Sequence, residues 1–201
     1  MICNKKNKRS IFHLVASNRQ VTMEEIKTLF ELKGDPNQKD KFLLTPLHYI
    51  CQNDKVRLEL LQLFLVNKCD LNLRSKKGYT ALEYLIKNKA SKKEMIQFLF
   101  SQNSNPLNLD KKKRSLLHLI TQIKNLDLDS FQTILFAAKS NFSTKDIERR
   151  TAMHLLCESN HLNKEKLLLF LEMKPNLNEN DIHQHSPLHY LINKCKWNTW
   201  L

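Results

Sequence analysis

The chain has 201 residues, with 33 lysines and arginines against 20 aspartates and glutamates, a formal net charge of +13 and a pI near 9.6. The length suits one compact domain or one repeat array, and the charge favours acidic partners: an acidic protein, nucleic acid or an anionic membrane surface. The charged, polar start over residues 1–10 is followed by no apolar run of the kind a signal peptide needs, and the most apolar stretches, such as Leu167 to Leu171, are far too short to cross a bilayer.

Five cysteines, Cys3, Cys51, Cys69, Cys157 and Cys195, are odd in number and widely spaced, with no CxxC pair and no Cys/His ligand cluster. They read as reduced thiols of an intracellular protein, in the cytoplasm or the nucleus.

After a basic segment over residues 1–9, one pattern recurs along the chain. It opens a unit over 10–44 with Ser10-Ile11-Phe12-His13-Leu14, then 45–79 with Thr45-Pro46-Leu47-His48-Tyr49 and 80–114 with Thr80-Ala81-Leu82-Glu83-Tyr84. It continues over 115–150 with Ser115-Leu116-Leu117-His118-Leu119, over 151–185 with Thr151-Ala152-Met153-His154-Leu155, and over a partial unit, 186–201, with Ser186-Pro187-Leu188-His189-Tyr190. Every step is 35 residues except the one from Ser115 to Thr151, which is 36. A second marker keeps phase: Asp35, Asp70, Asn105, Asn141 and Asn176, each ten residues before the next Thr or Ser.

Each unit reads as a helix pair. Thr or Ser at its start is a good N-cap, and Pro46 and Pro187 stand at the first helical position, where a missing N–H costs nothing. A second helix follows a short loop, with capping-box spacing at Thr22–Glu25 and Ser91–Glu94. Its core positions are predicted at Leu29/Phe30, Phe64/Leu65, Leu99/Phe100, Leu135/Phe136 and Phe170/Leu171. A single pair cannot bury its own apolar face, so neighbours must stack. The polar, basic residues after each Asp or Asn marker suit an extended turn between units.

Thr45-Pro46-Leu47-His48 with Asp70-Leu71-Asn72, at a period near 33, resembles the ankyrin repeat. The resemblance runs from about Ser10 to the C-terminus. It implies an all-α ankyrin-repeat solenoid of helix-loop-helix units with short β-hairpin-like turns. It also implies that His13, His48, His118, His154 and His189 make structural hydrogen bonds tying adjacent units together. The unit is two residues longer than the family's, and the extra length is assigned to the interhelix loop. Glu83 replaces the histidine of the third unit. The family's glycine two residues before the Asp is replaced by Lys33, Lys68, Asn103, Lys139 and Lys174, each costing roughly 1 kcal/mol if left-handed. Only Gly78 remains at the hairpin-tip glycine. The sixth unit stops after its first helix, which favours a fragment of a larger protein over a cap built from Lys196 to Leu201 with Trp197 and Trp200.

By the same resemblance, the hairpin tips and first-helix surfaces line a concave, partner-binding face. The candidate partner-binding residues are Lys41 and Phe42 in the first turn, with Lys39 beside them; Arg74, Lys76, Lys77 and Tyr79; Lys111, Lys112, Lys113 and Arg114; and Arg149 and Arg150, with Lys145 nearby. The last turn carries His183 and His185, with Asp181 against the trend. Tips about 10 Å apart stand within roughly one Debye length, so their fields add. The competing reading is a set of solvated loops that aid solubility.

Chemistry has little support. Cys51 and Cys157 share the repeat position of Ala16 and read as core. His183, His185 and His189 lack Cys or acidic companions, which disfavours zinc. With Gly34 and Gly78 as the only glycines, no phosphate loop is possible. The expectation is a non-enzymatic binding module without cofactor or metal: a scaffold, adaptor or inhibitor for an acidic protein. Electrostatic binding to nucleic acid or anionic lipid stands as the alternative, although no nucleic-acid module is recognisable. A regulatory segment of a larger enzyme or channel is another. The resemblance also admits an effector or host-interaction protein.

Overall fold

The computed structural model describes residues 7–88, 93–102, 109–124 and 126–195. Cys3, Ser91, Asn103, Asn105 and the Lys196–Leu201 segment with Trp197 and Trp200 lie outside the described residues, as does the Cys195 side chain. The chain divides into two compact units, Met1–Asn105 and Pro106–Leu201.

The first unit holds α1 (Ile11–Ala16), α2 (Met23–Glu31), α3 (Pro46–Gln52), α4 (Leu58–Val66), α5 (Ala81–Lys87) and α6 (Lys93–Ser101). The second holds α7 (Leu116–Ile120), α8 (Leu128–Ala137), α9 (Ala152–Glu158), α10 (Lys164–Glu172) and α11 (Pro187–Cys195). Among the described residues the fold is all-α, and no β-strand forms beyond a single bridge at Arg9. In the first unit α1, α3 and α5 stack in one row and α2, α4 and α6 in another. In the second, α7, α9 and α11 form one row, with α8 packed on α10 in the other.

The helix starts are where the motif puts them. Thr45 N–H donates to His48 Nδ1 at 3.0 Å, with the Thr45 hydroxyl 2.8 Å from the same nitrogen. Ser10, Ser115, Thr151 and Ser186 repeat the arrangement with His13, His118, His154 and His189. Since Nδ1 accepts the backbone N–H at the buried His13, His48, His118 and His154, these imidazoles are neutral and carry their proton on Nε2. That Nε2–H then donates across to the next turn: His13 to Leu44 O at 3.0 Å, His48 to Tyr79 O at 3.2 Å, His118 to Arg150 O at 2.9 Å and His154 to His185 O at 3.1 Å. The inter-unit role implied by the resemblance is therefore present at these four. Glu83 does the capping half of the job, accepting from Thr80 N–H at 2.6 Å.

The Thr22–Glu25 capping box forms reciprocally. The second-helix pairs, however, are not both core. Phe64, Leu99, Leu135 and Phe170 are fully buried, whereas Phe136 and Leu171 are exposed. Adjacent helical residues point about 100° apart, so one of each pair faces squarely inward and the other lies to its flank; of the flanking residues Phe30 still packs on Phe12 and Phe64. Phe12, Phe30 and Phe64 meet with ring centroids 4.9–5.4 Å apart at the centre of the first unit, and Phe170 packs against Phe131 and Phe142 in the second.

α2, α4 and α10 are each followed by an Asx turn at the second marker: Asp35, Asp70 and Asn176 accept from the N–H two residues on at 2.8–3.0 Å. Just before it, Lys33, Lys68 and Lys174 adopt φ of 52–57°, the left-handed region glycine would fill without strain. Lys139 differs. The extra residue of the 36-residue step lengthens α8 to ten residues, and Lys139 begins a 3₁₀ turn, Lys139–Asn141, instead.

Candidate functional site

The connections between helix pairs are tight hairpins sharing one construction. Asp40, Ser75, Asp110, Asp146 and Asp181 each donate a backbone N–H to the carbonyl four residues on, at 2.9–3.0 Å. The fourth residue of each turn is left-handed: Leu43, Gly78, Lys113, Arg149 and Gln184. Lys8, at φ 54°, occupies the same register one step earlier.

The four aspartates are buried and spent on their own loops. Asp40 Oδ1 accepts from Phe42 and Leu44 N–H at 2.8 and 2.9 Å, and its Oδ2 from the Tyr49 hydroxyl at 2.8 Å. Asp110 and Asp146 hold their loops in the same way and turn Oδ2 toward Arg114 and Arg150, at 2.8 and 3.1 Å. Asp181 uses the His183 and His185 N–H groups and the Tyr190 hydroxyl. Burial works against its carboxylate, but these donors outweigh it and hold the carboxyl below its usual range. Asp181 is thus a structural loop anchor rather than an acidic exception on the tip surface.

The twelve sequence-derived candidates separate accordingly. Lys41, Phe42, Arg74, Lys76, Lys77, Lys111, Lys112, Lys113 and Arg149 are exposed. Tyr79 is buried, its ring edge-on to Tyr84 at 5.7 Å with Lys87 Nζ 4.1 Å above it. Arg114 and Arg150 are half-buried and committed inward; Arg150 also reaches Glu148 and Glu158 at 3.3 and 3.4 Å. These three stand one residue before a cap with the side chain against the turn; the carbonyls of Tyr79 and Arg150 receive the preceding histidine, whereas Arg114 follows the unit that has Glu83 in that place. Lys145 is likewise engaged, 2.6 Å from Glu179, and its hydrogen bond lowers the Glu179 pKa.

The first unit also contains a cleft of ≈390 Å³ beside its hairpin tips. Lys76, Lys77 and Phe42 had been singled out from sequence; Arg9, Tyr49 and Tyr84 had not. The Tyr residues follow the motif's His or Glu, and that position was the available signal. Arg9 sits in register with Arg114 and Arg150, its guanidinium 4.7 Å over the Tyr49 ring and its Nε 3.7 Å from Asp40. Burial and the bond to Asp40 push the Tyr49 hydroxyl up to about 12, so it remains a donor.

The other chemical candidates take structural places. Cys51 and Cys157 are fully buried, and burial pushes the Cys51 thiol well above its ordinary range, the opposite of nucleophile activation. His183, His185 and His189 are exposed, with ring centroids 5.6–6.3 Å apart. Among the described residues no group of three His, Cys, Asp or Glu has metal-holding geometry, and no helix is long and apolar enough to cross a membrane.

Residues 12–110 match the family model for ankyrin repeats in three copies. Among solved structures, the fold resembles a chain in the complex of the predatory endopeptidase Bd0816 from Bdellovibrio bacteriovorus with the immunity protein Bd3460. The TM-score is 0.78 at 17% identity, over 95% of each chain. No curated protein matches the sequence significantly.

Proposed function

Because the chain belongs to the ankyrin-repeat family and is a protein–protein interaction module, we propose that it holds an acidic protein through its basic hairpin tips, as a scaffold, adaptor or inhibitor. One observation carries this reading: where a tip has both a turn aspartate and cations, the aspartate is buried and the cations stand outside. Asp40, Asp110, Asp146 and Asp181 are buried in their loops. Lys76, Lys77, Lys111, Lys112, Lys113 and Arg149 are exposed and form no ion pair among the described residues. The solvent-facing charge of the tips is therefore cationic beyond what composition alone requires. Exposed cations speed encounter with an acidic surface and reject basic ones. The structural neighbour is itself a protein–protein complex, which fits a module that works by binding.

The test is a pull-down comparing the chain with a variant in which Arg74, Lys76, Lys77, Lys111, Lys112 and Lys113 are changed to Glu, with folding checked by circular dichroism. Loss of one protein from the folded variant, with nuclease leaving it on the native chain, supports the reading. Capture of the same protein by both forms refutes it. Loss on nuclease treatment moves the function to nucleic acid.

A further inference from the structure

We infer that the cleft of the first unit is an anchor site for an acidic peptide segment of the partner, one in which a carboxylate side chain neighbours an aromatic one. This rests on the acidic-partner reading above and names where that partner is gripped and by what chemistry.

At ≈390 Å³ the cleft falls within the size range of ligand sites. Arg9, Lys76 and Lys77 supply three cations, and no Asp or Glu lines it. The nearest acid, Asp40, is buried behind Tyr49 with both oxygens occupied, so the cleft's positive charge has no exposed counterpart.

Arg9 is held in place by the Tyr49 ring on one side and by the Asp40 carboxylate, 3.7 Å from its Nε, on the other. Stacking on Tyr49 fixes the plane of its guanidinium, and its buried Nε has no hydrogen-bond partner. A planar donor fork held against an aromatic ring suits bidentate capture of a carboxylate better than the flexible, strongly hydrated lysines do.

The aromatic half of the ligand follows from Phe42. It is 41% exposed at the tip, contributes no core burial and lines the cleft rim beside Lys41, whose Nζ stands 4.9 Å over its ring. An exposed aromatic next to cations is the composition of an interface anchor. The deeper aromatics are locked edge-to-face, Tyr49 against His13 and Tyr84 against His48, at 5.9 and 5.6 Å. Single-stranded nucleic-acid sites combine a basic groove with a series of open ring faces on which successive bases stack. Here one open ring stands beside a compact group of three cations, which suits a short peptide segment.

The test uses the full chain and two fluorescein-labelled probes of matched length, a random Glu/Tyr copolymer and polyglutamate, followed by fluorescence polarisation at physiological salt. The copolymer should bind about tenfold more tightly. Phe42→Ser should bring the copolymer down to the polyglutamate level while leaving polyglutamate unchanged, and the double change Lys76→Gln with Lys77→Gln should weaken both. Equal binding of the two probes, or a preference that survives Phe42→Ser, overturns the inference. If the probes bind equally and both are lost on changing Lys111, Lys112 and Lys113 to Gln, this inference fails while the acidic-partner reading stands. If neither probe binds, both fail. Tighter binding of a single-stranded RNA of matched charge overturns the peptide assignment.

Discussion

Acidification from pH 7 to 5 should unfasten the first unit at His48. The imidazole is almost completely buried, its Nδ1 accepting from Thr45 and its Nε2–H donating to Tyr79 O. A proton on Nδ1 would face two donors and leave a charge out of water. Burial, opposed only in part by the Tyr79 and Leu73 carbonyls, lowers the pKa from 6.5 to about 4. The folded value lies below the unfolded one, so the unfolded chain binds the proton first as pH falls. The stabilisation is complete above about 6.5, declines below that and is gone near 4. The whole effect is about 3 kcal/mol, of which about 2 kcal/mol is lost by pH 5. That is a large share of the stability of an ordinary domain.

The assay is urea unfolding of the native chain and of His48→Gln at both pH values. The Gln carboxamide oxygen can accept from Thr45 as the Glu83 carboxylate accepts from Thr80, and it does not titrate. His13, His118 and His154 are also lowered by burial and contribute in the same direction to both proteins. The native chain should therefore lose about 2 kcal/mol more than the variant between pH 7 and 5. Equal losses would refute the argument, as would an NMR titration placing the His48 imidazole above pH 6 or its proton on Nδ1.

Other substitutions test the fold at separate points. Lys68→Gly should stabilise by about 0.5–1 kcal/mol in urea unfolding by relieving a left-handed lysine, and Lys33→Gly and Lys174→Gly should act alike. Lys139→Gly should give no gain, because Lys139 opens a 3₁₀ turn. Asp146→Ala should cost about 3 kcal/mol, leaving the half-buried Arg150 without its main partner and two turn N–H groups unbonded; a loss below about 1 kcal/mol would show that water replaces the carboxylate. Phe64→Ala should cost about 3–5 kcal/mol and Phe136→Ala under about 1 kcal/mol, read as the difference in urea midpoints.

The unit boundaries and N-caps were legible because cap and histidine stand three apart within one turn, and the 35-residue period then carries them along the chain; the bridges from each histidine to a carbonyl in the next turn were legible only through the family resemblance. The inward face of the second helix was less legible. Leu135 and Phe136 are equally apolar, and only packing separates the buried one from the exposed one. Tip membership was a matter of one residue. Lys113 and Arg114 look alike in a basic run, yet Lys113 is the exposed left-handed residue and Arg114 turns back onto Asp110. The clue lay five residues before the caps from Thr45 onward, where Asp40, Asp110, Asp146 and Asp181 keep phase and only Ser75 departs.

Those aspartates link folding to recognition. A turn needing two side-chain acceptor bonds to hold its shape could have placed a charge on the surface, where it would cancel neighbouring lysines. Here the carboxylate points inward and is satisfied by its own backbone, so the shaping of the turn and the exposure of its cations have one cause. Ser75 shows what changes without it. The second tip keeps its backbone closure, from Ser75 N–H to Tyr79 O at 2.9 Å, and its left-handed position falls to Gly78. It is also the tip that brings Lys76 and Lys77 to the cleft. With no carboxylate inside this turn, the buried acid next to it is Glu83, which accepts from Thr80 N–H at the following cap. An acidic ligand should therefore meet Lys76 and Lys77 as exposed cations whose turn is shaped by backbone closure and a glycine, with the buried Glu83 carboxylate held at the next cap.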